Sequence, residues 1–276
     1  MLTIEGVSKL FSTGNGSTKA LENINMTVHA GEFVSLVGPS GCGKSTLLNI
    51  IAGLEQASAG KVWKQGRLVT GAGPDRVLMF QEAALFPWLR VIENVEYPMK
   101  VAGTPKKERR ERAGHFLKMV HLTRFMQSYP HELSGGMRQR VALARALATQ
   151  TDILLMDEPF AALDSQTRWI LHKELQQIWY ATGKTIIFVT HNVEEAVLLA
   201  DRVLVMSANH GRIKAEFRVD LPRPRDSQNI LLTSIVGKIM RKLKEEVETV
   251  VRAERGHKWG PPKTAFIPRP RGTVGI

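Results

Sequence analysis

Two clusters of residues in this 276-residue chain have the types and spacing for phosphate chemistry. The first is Gly38-Pro39-Ser40-Gly41-Cys42-Gly43-Lys44-Ser45-Thr46, which fits G-x-x-x-x-G-K-[ST]. Its glycines let successive backbone N–H groups turn inward around an anion, Lys44 can reach the β- and γ-phosphates of a nucleotide, and the Ser45 hydroxyl can ligate Mg²⁺. The second is Asp157-Glu158, two carboxylates that end the apolar run Ile153-Leu154-Leu155-Met156. Alone, an acidic pair after a strand reads as a solvated turn or a helix cap. Beside a phosphate loop, Asp157 is placed to hold the metal and Glu158 to act on a water in line with the γ-phosphate. Cys42 lies inside the glycine loop beside Lys44, so a bulky adduct on its thiol is expected to obstruct ATP.

Alternating β and α patterns must position these groups. Glu32 to Val37 reads as a short strand, then comes the glycine turn, then Ser45 to Ala52 as a helix. Strand, glycine loop and helix form a phosphate-binding unit. Further apolar runs occur at Val77 to Phe80, Ile153 to Met156, Thr185 to Thr190 and Arg202 to Met206. Runs buried on both faces are what a parallel sheet covered by helices needs. Between Glu82 and Gln150 strand signals vanish, while Lys106 to Val120 and Gly136 to Ala148 read as helices. A helical insertion therefore interrupts an α/β core.

The segment Leu133-Ser134-Gly135-Gly136-Met137-Arg138-Gln139-Arg140, about twenty residues before Asp157-Glu158, resembles the signature of the ATP-binding-cassette (ABC) ATPases. Met137 stands where glutamine is more usual. Other landmarks follow in the family's order: Phe11 as the adenine-stacking aromatic, Gln81 as the Q-loop glutamine, Ala162-Leu163-Asp164 as the D-loop and His191 as the switch histidine. The resemblance covers roughly residues 1 to 225. It implies a P-loop NTPase fold of ABC type: an α/β molecule with a mixed, mainly parallel sheet flanked by helices, an inserted helical subdomain and an N-terminal antiparallel β region. It also implies that ATP and Mg²⁺ are bound, with Ser45, Gln81 and Asp157 at the metal, and Lys44, Gln81, Glu158 and His191 in hydrolysis. Ser134, Gly135, Gly136 and Met137 would cap the nucleotide of a second ABC subunit, in a homodimer or a heterodimer. The exposed N–H groups and dipole of a helix N-terminus suit that task. Asp164 either shapes the dimer contact or caps the helix that follows.

Composition narrows what such an ATPase drives. The chain carries 38 Lys and Arg against 26 Asp and Glu, a net charge of +12, with one cysteine. One cysteine makes neither an internal disulfide nor the zinc sites of excision-repair damage sensors. Chromosome-type members insert a long coiled coil that does not fit the 53 positions between Gln81 and Ser134, and tandem translation factors carry two cassettes. No apolar run is long enough to span a membrane. Transport then requires two separate permease subunits and an extracytoplasmic binding protein, with this subunit peripheral on the cytoplasmic face of the membrane. Phe86-Pro87-Trp88-Leu89, next to Gln81, supplies apolar anchors that are either the permease contact or core. An ATPase acting on nucleic acid, or one energising a different transporter class, is the alternative.

Gly73-Pro74-Asp75-Arg76, Ala84 to Trp88, Gly211-Arg212-Ile213 and Leu221 to Asp226 resemble the nitrate, sulfonate, taurine and bicarbonate importer group. The expected organisation is an ATPase domain over 1–225 with its helical subdomain at about 82–150, then an amphipathic helical segment over 226–255 and a basic tail over 256–276. In the second segment Leu232, Ile235, Ile239, Leu243, Val247 and Val250 recur at helical spacing, which most often packs such a helix on its own domain. From Val236 onward ten basic residues face four acidic ones, half of the net charge. The tail from Gly256 is rich in Gly, Pro and Arg and reads as disordered or extended.

Overall fold

The structure, a computed structural model, describes residues 1–13, 16–161, 163–208 and 210–255. The expected extended tail and Ala162 of the Ala162-Leu163-Asp164 motif lie outside the described residues. The chain begins with β1 (Leu2–Thr13), β2 (Gly16–Val28) and β3 (Phe33–Val37), followed by α1 (Lys44–Ala52), β4 (Ala59–Lys64), β5 (Arg67–Leu68) and β6 (Arg76–Met79). Three helices follow, α2 (Val91–Val101), α3 (Lys106–Met119) and α4 (Gly135–Ala148). The remainder alternates: β7 (Ile153–Asp157), α5 (Ser165–Thr182), β8 (Thr185–Thr190), α6 (Val193–Leu199), β9 (Arg202–Met206), β10 (Ile213–Arg218) and α7 (Ile230–Arg255).

The strands form two sheets. A six-stranded sheet runs β10-β9-β3-β8-β7-β6, parallel except for β10, which pairs antiparallel with β9. An antiparallel sheet runs β2-β1-β4-β5. Every residue of β3 and β8 is buried, because helices cover one face of the large sheet and the antiparallel sheet and α1 cover the other. Alternate side chains of β3 divide between the two cores, Phe33 on one side with Phe188 and Phe160, Val34 and Leu36 on the other with Leu47 and Ile51.

Several element ends shift by one residue: the strand read from Glu32 starts at Phe33, and the helix read from Ser45 starts at Lys44. The strand expected over Val77 to Phe80 ends at Met79, and Phe80 is exposed in the turn beyond it. The helix read to Val120 ends one residue earlier, and the one read from Gly136 starts one residue earlier. The helix α2 carries no clear signal because Pro98 sits within it, where a missing N–H ordinarily argues against helix. The C-terminal helix α7 packs on α6 and β9, with Leu232 and Ile239 buried in the main core. Among the described residues no helix is long and apolar enough to cross a membrane.

A buried polar residue in α2 shapes the loop that precedes it. Asn94 is fully buried; its Oδ1 accepts from the Phe86 N–H at 2.8 Å, and its amide donates to the Phe86 and Leu89 carbonyls at 3.1 and 3.0 Å. This clamp closes the turn, so Phe86 packs against Tyr97 while Trp88 at the tip remains 70% exposed. Asn94→Ala strips partners from backbone groups that have little access to water, at a cost of about 2–3 kcal/mol. Denaturant titration should record that loss; an unchanged midpoint would mean that the loop is held by other contacts.

Candidate functional site

Parallel pairing brings the strand ends into line. Val37 of β3 faces Thr190 of β8, and Asp157 of β7 faces Val189 of the same strand, so the glycine loop, Asp157-Glu158 and His191 emerge together at the carboxyl edge. That edge is where open parallel sheets hold ligands.

The glycine loop is wedged between β3 and the antiparallel sheet. Gly43, the residue before α1, adopts φ 93°, and a Cβ there would lie 2.6 Å from the Ala20 carbonyl oxygen of β2. A Cβ on Gly38 would lie 2.8 Å from Cys42 Sγ. A side chain at either position would have to displace a neighbour, so the close packing favours glycine at both. Lys44 is buried, and its Nζ donates to the Gly38 and Pro39 carbonyls at 2.9 Å each. Pro39, Ser40 and Gly41 form the tip, and Ser45 and Thr46 follow Lys44 in the first turn of α1. Phe11 lies on the ladder that backs this loop: it pairs with Thr18, close to Ala20, and is 38% exposed with Lys9 Nζ 4.8 Å from its ring centre.

Ser45 Oγ donates to Asp157 Oδ1 at 3.0 Å, joining the two clusters read from the sequence. Burial raises the Asp157 carboxyl above the usual carboxylate range and the neighbouring Glu158 charge adds to this, against the opposing effects of Ser45 and Lys44. A desolvated carboxylate beside a hydroxyl is a set of hard oxygen donors that a small divalent cation suits, so these residues fit Mg²⁺. Glu158 follows at φ 43°, an uncommon conformation for a non-glycine residue, with its N–H donating to Val189 O at 2.9 Å. This turn aims its carboxylate at His191, whose Nδ1–H donates to Glu158 Oε2 at 2.9 Å. With Nδ1 committed to Glu158, Nε2 is the ring nitrogen left for another partner, and it can donate to a phosphate oxygen only in the imidazolium form, where both nitrogens carry hydrogen.

The other landmarks are spread around this centre. Gln81 follows β6; its carbonyl accepts from Gln139 Nε2 at 2.9 Å, and no hydrogen bond among the described residues joins its amide to Ser45 or Asp157. Ser134 caps α4, its Oγ accepting from the Met137 N–H at 3.3 Å. That cap uses only the backbone of residue 137, so a methionine serves as well as a glutamine. Gly136 lies against α5, where a Cβ would be 2.6 Å from Thr167 Cγ2, while Gly135 has room. Residues 134–137 make no described hydrogen bond or ion pair with residues 38–45 of the same chain. Asp164 caps α5 by accepting from the Thr167 N–H at 2.9 Å, which holds its carboxyl below the usual range.

Gln139 lies in the signature segment, but sequence reasoning gave it no role of its own. It is buried on α4, and its amide donates both to Gln81 O and, at 2.5 Å, to Pro159 O, tying the loop after β6 to the loop after Glu158. The only sequence signal is a polar residue on a helix face otherwise committed to apolar neighbours. The structure adds a fact about Cys42 that the sequence does not carry. Its side chain is 2% exposed, packed under Gly38, and burial pushes its thiol pKa up. Adduct formation is therefore limited by access before it can obstruct anything.

Residues 21–161 match the ABC transporter family. A nitrate import ATP-binding protein of Synechocystis sp. is 49% identical over 221 residues, 80% of this chain and 83% of that relative. A taurine import ATP-binding protein of Rhizobium johnstonii is 48% identical over 224 residues, 81% of this chain and 86% of that relative. Among solved structures, a dimeric ATP-binding cassette in a post-hydrolysis state with ADP and Pi matches at TM-score 0.71 and 35% identity, covering 80% of this chain and 100% of that one. The chain belongs to the ABC transporter family, as an ATP-binding subunit with the P-loop fold expected of it. It is an ATPase whose hydrolysis powers transport.

The buried thiol gives a direct check on the loop. With maleimide at neutral pH, Cys42 should label slowly in native protein and about stoichiometrically in denaturant, since the reactive thiolate is disfavoured by burial. Rapid native labelling would mean that the loop opens more readily than its packing implies.

Proposed function

We propose that this chain is the ATP-hydrolysing subunit of an importer for a small anion such as nitrate, a sulfonate, taurine or bicarbonate. The relatives named for nitrate and taurine import support the cargo class, and the short subgroup segments such as Gly73 to Arg76 agree with it. The cargo never touches this subunit in such a machine; a binding protein and the membrane pathway select it. Two of these subunits, identical or paired with a second kind, would sit on the cytoplasmic face of the membrane against two permease subunits.

The observation that carries the hydrolytic reading is the Glu158–His191 pair beside the Ser45–Asp157 pair. The glycine loop and Lys44 would bind the triphosphate, with Phe11 against the adenine. Ser45 and Asp157, with Gln81 brought in from its loop, would hold Mg²⁺. When bound, the metal neutralises phosphate charge. Glu158 polarises the attacking water, and His191 holds the Glu158 carboxylate in place, its Nε2 donating to the γ-phosphate when the ring is an imidazolium with hydrogen on both nitrogens. Ser134, Gly135, Gly136 and Met137 of one subunit would grip the nucleotide of the other, in keeping with the absence, among the described residues, of a hydrogen bond or ion pair from them to the loop of their own chain. The dimeric cassette with ADP and Pi supports that arrangement. Closure around two nucleotides, and opening after hydrolysis, then supply the mechanical stroke. Within this reading, residues 1–225 are the ATPase domain, about 82–150 its helical subdomain and 226–255 an added segment.

Two experiments test the proposal. Glu158→Gln should keep ATP binding, lose about 100-fold or more in turnover and accumulate an ATP-dependent dimer in size-exclusion chromatography. Near-normal hydrolysis would remove Glu158 from its role. Trp88→Ala, at the exposed tip of the loop clamped by Asn94, should leave the ATPase of the isolated subunit unchanged and lower transport in the assembled complex. Transport at the wild-type rate would place the permease contact elsewhere.

A further inference from the structure

Directly beneath the Glu158–His191 pair lies a buried polar chain that none of the motifs contains. His172, in the middle of α5, is 8% exposed, and its Nε2–H donates to Glu195 Oε1 on α6 at 2.6 Å. The other carboxylate oxygen of Glu195 accepts from Thr190 Oγ1, the last residue of β8. Thr190 Oγ1 in turn accepts from the Asn192 N–H at 3.0 Å, and Asn192 Oδ1 accepts from the Glu195 N–H at 3.2 Å. These bonds close the turn Thr190-His191-Asn192 and leave His191 at its apex. Glu195 and Thr190 are 5% and 2% exposed, so bulk water has little access to replace a lost partner. The same imidazole also packs on the segment that follows the other half of the pair: its ring meets Phe160 edge-on at 5.6 Å between centres, and Phe160 is two residues beyond Glu158.

We infer that His172 and Glu195 are positioning residues for hydrolysis, a buried strut that sets the distance between the Glu158 carboxylate and the His191 ring. The inference rests on the reading of Glu158 and His191 as hydrolytic groups. Both members of the pair sit on turns, and turns have more freedom than strands. Glu158 is further held at a positive φ, which surrounding contacts must enforce. His172 touches the chain on both sides of the gap, through Phe160 to the Glu158 turn and through Glu195 and Thr190 to the His191 turn. It also stands on α5, whose first turn is capped by Asp164 and faces Gly136 at Thr167. Movement at the start of that helix thus has a direct route to the catalytic pair.

Removal of the strut should cost turnover and spare nucleotide affinity, because nothing in it touches the glycine loop. His172→Phe keeps a ring against Phe160 and deletes the bond to Glu195. Its kcat should fall roughly tenfold, as small misplacements of reacting groups do, with KM for ATP and the affinity for a fluorescent nucleotide within about twofold. His172→Gln, which retains a side-chain N–H donor, should recover most of the loss. Glu195→Gln should lower kcat in the same way and carries the test if the phenylalanine variant does not fold. The decisive measurement is a double-mutant cycle with His191→Ala. In that background His172→Phe should cost little more, since it acts through His191; an undiminished further loss would overturn the inference. A silent His172→Phe beside an impaired His191→Ala overturns the strut alone. Full turnover by His191→Ala overturns the reading of His191 and the strut with it.

Discussion

The parallel ladder β3–β8–β7 is the constraint from which the site follows. Pairing of Val37 with Thr190 and of Asp157 with Val189 levels three strand ends, and each next residue or turn inherits that level. A slip of one residue would exchange the two faces of a strand and carry Phe33 or Phe188 to the wrong core. The packing that makes such a slip costly is the same packing that sets Ser45 against Asp157 and Glu158 against His191. Precision at the carboxyl edge is therefore a by-product of core burial, and the site itself is free to hold charge and strain.

That freedom is used. Lys44 is buried with two backbone carbonyls as acceptors, burial raises the pKa of the Asp157 carboxyl, and Glu158 occupies a backbone region that costs energy. Each is unfavourable alone, and in the proposed reading two of them would improve with a ligand of opposite character: a phosphate for Lys44, a cation for Asp157. Arrangements of this kind are built for binding rather than for stability. The neighbouring Cys42 belongs to the other category, a small apolar filler under Gly38 whose chemistry is suppressed by the same burial.

Much of this was legible because the signals were local. Thr185 to Thr190 and Arg202 to Met206 form strands over the residues the sequence marks out, since apolar β-branched runs between polar boundaries leave little choice. The glycine loop and Asp157-Glu158 were legible for a different reason, as their chemistry is written in contiguous residues. The two long strands β1 and β2 were harder to read from pattern, because register shifts near Ile4, Val7 and Lys9 break the two-residue alternation. Pro98 hid α2, and Phe80 extended an apolar run beyond the strand that contains it. Least legible were Gln139, His172 and Glu195, whose partners are 20 to 58 residues away in the chain. No window of sequence contains both ends of such a bond.

Those distant bonds bear on how one site can sense another. Helix α4 begins with Ser134 and Gly135, and four residues later Gln139 grips the carbonyls of Gln81 and Pro159. One turn and a half further on, Arg145 donates to the carbonyls of Ala83 and Ala84 at 2.9 Å each. The loop after β6 is thus fastened to the helix at two levels, and the loop after Glu158 at one. A helix is stiff over this length, so displacement at its N-terminus is transmitted to both loops rather than absorbed. In the proposed dimer that N-terminus meets the partner's nucleotide, while Gln81 and Glu158 attend to the chain's own. Two nucleotides separated by an interface would then be linked through a single rigid element and four backbone carbonyls, with no need for a conformational change in the sheet beneath them.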